Sequence, residues 1–211
     1  MSGHDDFAFE AMPGLPERPP LGEDILWQGK PAAYALARDA YGLHWIAGYF
    51  AVIILWRAAT GYADGGPAMA AAMGLPYVML GLLGLAVVYG LAWIQARTTI
   101  YTLTSARVVL RIGAALPVTF NLPFKQVGAA NLDLRRDGTG TIALQTLGST
   151  RISYLIAWPH VRPWRMSKTE PALRSIPDAG RVAGLLAEAA EARVSMPQVT
   201  RTAPMAAVAA E

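Results

Sequence analysis

The side chains able to do chemistry are few and far apart. Among the 211 residues there are three histidines, His4, His44 and His160, and no cysteine. Without a thiol, disulfides, thiolate metal sites and cysteine nucleophiles are excluded. No histidine stands at metal-ligand spacing from another histidine or a carboxylate, so no metal site is expected. There is no phosphate-cradling loop and no HExxH. Gly138 and Gly140 form a lone G-x-G, read as part of a turn. No nucleophile, base and orienting group come together as a set. The sequence therefore predicts no catalytic residues, no enzyme and no resident cofactor.

His44 has the one ligand reading. It follows the small Ala40 by one helical turn, a spacing that in light-harvesting polypeptides makes room for a bacteriochlorophyll whose magnesium the imidazole binds. It also stands beside Trp45 at the start of an apolar stretch, where an amphipathic ring suits the interfacial belt of a bilayer. The interfacial reading is preferred, and His44 is not expected to be an obligatory pigment ligand.

The remaining candidates bind partners. Trp158, His160, Arg162, Trp164, Arg165 and Lys168 fall within eleven residues. Aromatics and arginine anchor protein interfaces, although a basic loop is also drawn to an anionic membrane surface. Gly81, Gly84 and Gly90 form a small-residue face that admits close helix approach. Its occupant is either a partner helix or the chain's own Ala47, Gly48 and Ala51.

Two apolar stretches carry that face. Leu43–Ala59 has only His44 and Arg57 near its ends, and Leu75–Ala96 has no charged residue. A bilayer core of about 30 Å needs roughly 20 apolar residues in a helix. The sequence thus predicts a two-helix transmembrane hairpin over 43–96, with helices at 43–60 and 75–96 joined by a short loop. Arg57 is expected to snorkel to the headgroups. Arg18, Lys30 and Arg38 precede the hairpin, and Arg97, Arg107 and Arg111 follow it. This bias places both termini in the cytoplasm. The acidic start MSGHDDFAFE is no signal peptide. No long basic run or binding motif points to nucleic acid.

Around the hairpin, residues 1–22 read as an extended Pro-rich arm, and 23–42 as an interfacial segment with a strand or turn at its start. From residue 97 the period becomes two: Val108, Leu110 and Ile112 face one way, then Leu132 and Leu134, Ile142 and Leu144, and Ile152, Tyr154 and Ile156. Asp137-Gly138 is a good hairpin turn, and Gly148-Ser149 another turn signal. The prolines of 158–177 forbid regular structure. After Pro177, Val182, Leu185, Leu186 and Ala189 recur at helical spacing. The fold class is α+β, a membrane hairpin plus a small antiparallel barrel over 97–194 closed by a C-terminal helix. Leu185 and Leu186 should be its buried plugs, and 195–211 a disordered tail.

Several segments resemble a known family. GEDILWQGKP before the hairpin, ARTTIYTLTSARVVLRIG after it, and LPFKQV are similar to bacterial pleckstrin-homology-like domains on membrane hairpins, whose Tyr-x-Leu-Thr-x-x-Arg is matched by Tyr101, Leu103, Thr104 and Arg107. FAFEAMPGLPE, GTGTIALQTLG, PALRSIPDA and above all YLIAWPHVRPWRM resemble the photosynthetic complex assembly proteins of purple bacteria. The resemblance implies a pleckstrin-like barrel on the cytoplasmic side of the inner (intracytoplasmic) membrane. It implies a non-enzymatic factor for biogenesis of the reaction centre and its core light-harvesting complex. Expected partners are those subunits, membrane lipids and a second copy of the chain. The alternative is a membrane scaffold that binds lipid headgroups or self-associates.

Overall fold

The computed structural model describes residues 14–15, 17–113, 117–147 and 152–195. Residues 1–13 of the expected arm, the Gly148-Ser149 turn and the tail after Ser195 lie outside the described residues. In chain order the elements are β1 (Ile25–Gly29), α1 (Ala33–Asp39), α2 (Leu43–Thr98), β2 (Ile100–Thr104), β3 (Arg107–Ile112) and β4 (Val118–Pro123). After a short 3-10 turn come β5 (Val127–Leu134), β6 (Gly140–Thr146), α3 (Tyr154–Ala157), β7 (Ala172–Ile176) and α4 (Ala179–Ser195).

α2 contains both apolar stretches in 56 residues. The loop expected between residues 60 and 74 is instead helical, except at Gly65 and Gly66, whose φ/ψ leave the helical region. Three local preferences explain this. Ala68–Met73 is alanine-rich and favours helix. Pro67 suits the first turn after a break, where its missing N–H costs nothing. Gly66 adopts φ 71°, which only a residue without Cβ takes easily. The residues on either side of the break lie against one another. A Cβ on Gly74 would stand 3.5 Å from the Ala58 Cβ, and one on Gly81 3.0 Å from the Phe50 ring. The Arg57 guanidinium sits 5.8 Å from the Tyr77 ring centroid. By length and composition α2 could cross a membrane, and only 11% of its most apolar window is buried.

Two antiparallel sheets form the rest, in the orders β1-β2-β3-β4 and β5-β6-β7. They share one core: Tyr101, Leu103 and Leu110 from the first sheet, Ile142, Leu144 and Leu173 from the second, and Val182, Leu186 and Ala189 from α4. β1 precedes α2 yet pairs with β2 after it, with Gly29 opposite Tyr101. The segment 23–42 is therefore packed into the globular domain through β1 and α1. α1 buries Ala35, Leu36 and Ala37, and the Ala32 N–H donates to the Ser175 carbonyl. Glu23 makes a bidentate pair with Arg107, at 2.8 and 2.9 Å. Burial would raise the Glu23 pKa, but the hydrogen bonds from Arg107 and Thr104 outweigh it and hold it low.

Three local readings change. Residues 158–177 are not irregular throughout: Ala172–Ile176 form β7, paired with β6, because Pro171 and Pro177 flank the strand and leave its ladder donors intact. The alternation of Ile152, Tyr154 and Ile156 is not a strand; it belongs to α3 and its approach. Leu155 is also apolar, so the period of two was never clean, and Pro159 removes a ladder donor. On α4, Leu186 is buried with Val182 and Ala189, whereas Leu185 is only half-buried. The helix is rotated so that the 182-186-189 row faces the sheets. Leu186→Ala should thus cost roughly 2–5 kcal/mol, and Leu185→Ala clearly less. Thermal unfolding of the purified chain in detergent measures both; equal shifts in Tm would contradict this seating of α4.

Candidate docking site

The segment between β6 and β7 is the most elaborate connection in the domain. Its base is tied by backbone bonds: Arg162 N–H to the Glu170 carbonyl at 2.9 Å, Ala172 N–H to the His160 carbonyl at 2.9 Å, and Leu144 N–H to the Pro171 carbonyl at 2.8 Å. Val161 and Pro171 form an isolated antiparallel bridge. The prolines forbid regular structure here, yet the loop is braced. Glu170, 1% exposed, takes Arg162 at 3.0 Å and Arg165 at 3.6 Å. A buried carboxylate needs such partners, because removing it from water unpaired is costly. The two arginines in turn hold the tip in place.

At that tip Trp164 is 89% exposed and Met166 65% exposed. Trp164 has φ 63°, an uncommon conformation for a bulky residue, which stores strain of order 1 kcal/mol. With Arg162 and Pro163 it roofs a groove of about 360 Å³ on the outer face of the β5-β6-β7 sheet, floored by Asn131, Asp133 and Thr141. Asp39 borders the same groove. Its carboxylate takes Arg38 at 2.7 Å and Arg135 at 2.9 Å, which joins α1 to the end of β5. Arg38 also meets Asp137 at 2.7 Å. Hydrogen bonds from Thr139 and then Arg38 lower the Asp137 pKa to about 2.

Below the loop lies a polar cluster that the sequence did not reveal. His160 is 1% exposed, so it is not a docking residue as expected. Its Nδ1 is bonded to the Tyr101 hydroxyl, and its Nε2 lies 3.1 Å from Thr99 Oγ1 and 3.3 Å from the Gln95 amide. The Arg174 backbone N–H donates to the Tyr101 oxygen at 3.2 Å. Arg174 donates to the carbonyls of Val161 at 2.9 Å and Asp39 at 2.7 Å. One cluster thus connects the end of α2, β2, β7, α1 and the base of the loop. Burial, and then the nearby Arg174 charge, lower the His160 pKa to about 3. Burial likewise raises that of Tyr101.

The other expected site residues are dispersed. Trp158 is 41% exposed and packs edge-on against Tyr41, with centroids 5.0 Å apart. Gly81 and Gly84 face Phe50 of the same chain, the intramolecular packing that the sequence allowed, while Gly90 faces open space. His44 is exposed, and its Nε2 lies 2.9 Å from the Tyr34 hydroxyl. Among the described residues no three His, Asp or Glu side chains gather where they could hold a metal. Sequence reasoning missed Tyr101, Glu170 and Arg174. Glu170 and Arg174 carried only a weak signal, charges flanking the apolar run Pro171–Leu173.

A family model described as bacterial PH domain matches residues 42–190. The chain belongs to that family. The match includes α2, the elements from β2 to β7 and α4 as far as Ala190, so the PH domain here is completed by β1 from outside it. A protein of Rhodobacter capsulatus is 49% identical over 215 residues, covering 99% of this chain and 98% of the relative. It is described as an uncharacterized 23.7 kDa protein in the puhA 5' region. No solved structure matches the chain.

The buried histidine of this PH domain makes stability depend on pH. Its folded pKa near 3 lies below the ordinary 6.5, so the unfolded chain binds the extra proton between those values. Its contribution is complete above about pH 6.5 and falls as pH drops toward 3, by at most about 1.4 kcal/mol per pH unit. In urea titrations across that range, His160→Gln should flatten the acid limb. An unchanged acid limb would show that His160 is not the titrating group.

Proposed function

We propose that this chain is a non-catalytic assembly factor that crosses the membrane twice and docks photosynthetic subunits with its PH domain. The observation that carries the docking is the loop tip: Trp164 and Met166 stand exposed on a strained turn that Glu170 braces from below. A rigid, exposed aromatic anchor is what a protein interface uses, since little conformational entropy remains to be lost on binding. The relative in the puhA 5' region supports the biological setting, as does the resemblance of YLIAWPHVRPWRM to PuhB, a photosynthetic complex assembly protein. The reaction centre and its core light-harvesting complex are the proposed partners.

The double crossing rests on length and on packing. Leu43–Asp64 would measure about 33 Å and Pro67–Thr98 about 48 Å, each enough for a core of about 30 Å. Contacts such as Gly81 to Phe50 keep the two arms together. The arginines around 38 and 97 favour a cytoplasmic domain, with Gly65 and Gly66 outside. The alternative role, a scaffold for lipid headgroups, draws less support at this loop. Glu170 already engages Arg162 and Arg165, the arginines a headgroup would need.

Trp164→Ala combined with Met166→Ala should lower recovery of reaction-centre subunits with this chain, from detergent-solubilised photosynthetic membranes, about tenfold (~1.4 kcal/mol). The amount of the chain in the membrane should not change. Lys168→Ala, which leaves the Glu170 brace intact, should matter little. The reverse ranking would favour the headgroup scaffold. Because the chain has no cysteine, cysteines placed at Asp64 and Arg136 report topology directly. An impermeant maleimide on intact cells should label Asp64→Cys alone; labelling at Arg136→Cys would overturn the orientation.

A further inference from the structure

We infer that α3 is a third membrane contact, a short apolar turn that sits in the headgroup boundary beside the ends of α2. This rests on the membrane-spanning reading of α2 and adds a surface to it. Leu155 is 86% exposed, Ile156 61% and Trp158 41%, while Ala157 of the same turn is fully buried. Two large aliphatic side chains therefore point outward from a turn whose opposite side is fixed in the core. No residue from Ile152 to Val161 carries a formal charge with His160 neutral, which is what an apolar boundary requires.

The position of α3 agrees with its composition. Trp158 packs on Tyr41, two residues before α2 begins. His160 meets Gln95 and Thr99, at the other end of α2. The segment 154–160 thus touches Tyr41 just before α2 and Gln95 and Thr99 at its end, near the level where the chain would enter and leave the bilayer. Other amphipathic side chains mark the same level. Trp45 is 86% exposed, and Trp93 carries the Arg97 guanidinium 4.1 Å from its ring centroid. Tryptophan and snorkelling arginine are the residues that favour a headgroup boundary. The occupant of the Leu155–Ile156 surface is the acyl and headgroup edge of the membrane that α2 spans. A third contact, off the axis of α2, would fix the tilt of the PH domain and hence the direction in which Trp164 points.

The test uses the full chain with single cysteines at Ile156, Leu83 or Arg136, each bearing a bimane. It is reconstituted alone in vesicles of equal phosphatidylcholine and phosphatidylglycerol that contain nitroxide-labelled lipids. No partner protein is present, so quenching at Ile156→Cys can come only from lipid. The expected result is strong quenching at Ile156→Cys by a nitroxide roughly 5–10 Å below the headgroups, deeper quenching at Leu83→Cys, and little at Arg136→Cys. Leu155→Cys, on the same exposed turn, should behave as Ile156→Cys does. If Leu83→Cys is quenched while both α3 positions match Arg136→Cys, the inference is wrong and the spanning reading stands. If Leu83→Cys is itself unquenched, the spanning reading fails and the inference fails with it.

Discussion

The pairing of β1 with β2 is the constraint on which the molecule depends. Gly29 and Tyr101 lie opposite each other in an antiparallel ladder, yet α2 stands between them in the chain. A straight helix of 56 residues would be about 84 Å long at 1.5 Å per residue. The roughly 17 linking residues at its two ends reach only about 59 Å when fully extended. The ladder and a straight α2 cannot coexist, so α2 must fold back. Gly65 and Gly66 supply the break, Gly66 at a positive φ that a Cβ would oppose. Packing of Gly74 on Ala58 and of Gly81 on Phe50 then holds the returning arm close.

With the two ends of α2 brought together, the domain is built around the place where they meet. α1 buries its small apolar face, and Asp39 links it to Arg135 at the end of β5. Gln95 and Thr99, at the end of α2, reach His160 of the loop before β7. In the buried His160–Tyr101–Arg174 cluster each imidazole nitrogen has a partner and two Arg174 nitrogens donate to backbone carbonyls, although Arg174 Nε has no partner. Hydrogen bonds are directional and apolar packing is not. A polar cluster at this joint therefore sets the angle between α2 and the sheets more closely than leucines would.

That rigidity gives the proposed docking its physical sense. Trp164 projects from a loop whose base is bonded to β6 and β7 and whose carboxylate brace, Glu170, is buried. Its height above the ends of α2 is therefore set by the fold. A factor that holds a newly inserted subunit gains from presenting one anchor at one distance from the bilayer. Two weak contacts at fixed separation reinforce each other without either being tight. Release then needs only the loss of one contact, which suits a transient role.

Local sequence determined the parts whose physics is local. The period of two in Val108–Ile112 and Leu132–Leu134 marked β3 and β5, and Asp137-Gly138 marked the turn after β5, where Gly138 has φ 78°. The length and lack of charge of Leu75–Ala96 showed that this stretch could span a bilayer, and the row through Val182, Leu186 and Ala189 marked α4. The docking loop was visible as a cluster of tryptophan and arginine, but its division was not. His160 went inward to meet Tyr101, Trp158 went to Tyr41, and Trp164 was left 89% exposed. Those outcomes depend on partners about 60 to 120 residues away in the chain, which no local period encodes. The membership of β1 in the sheet, the Glu170 brace and the use of Gly81 within the chain were likewise decided only in three dimensions. Backbone periodicity follows from neighbouring residues, whereas the cost of burying a polar or small residue depends on what the rest of the chain places against it.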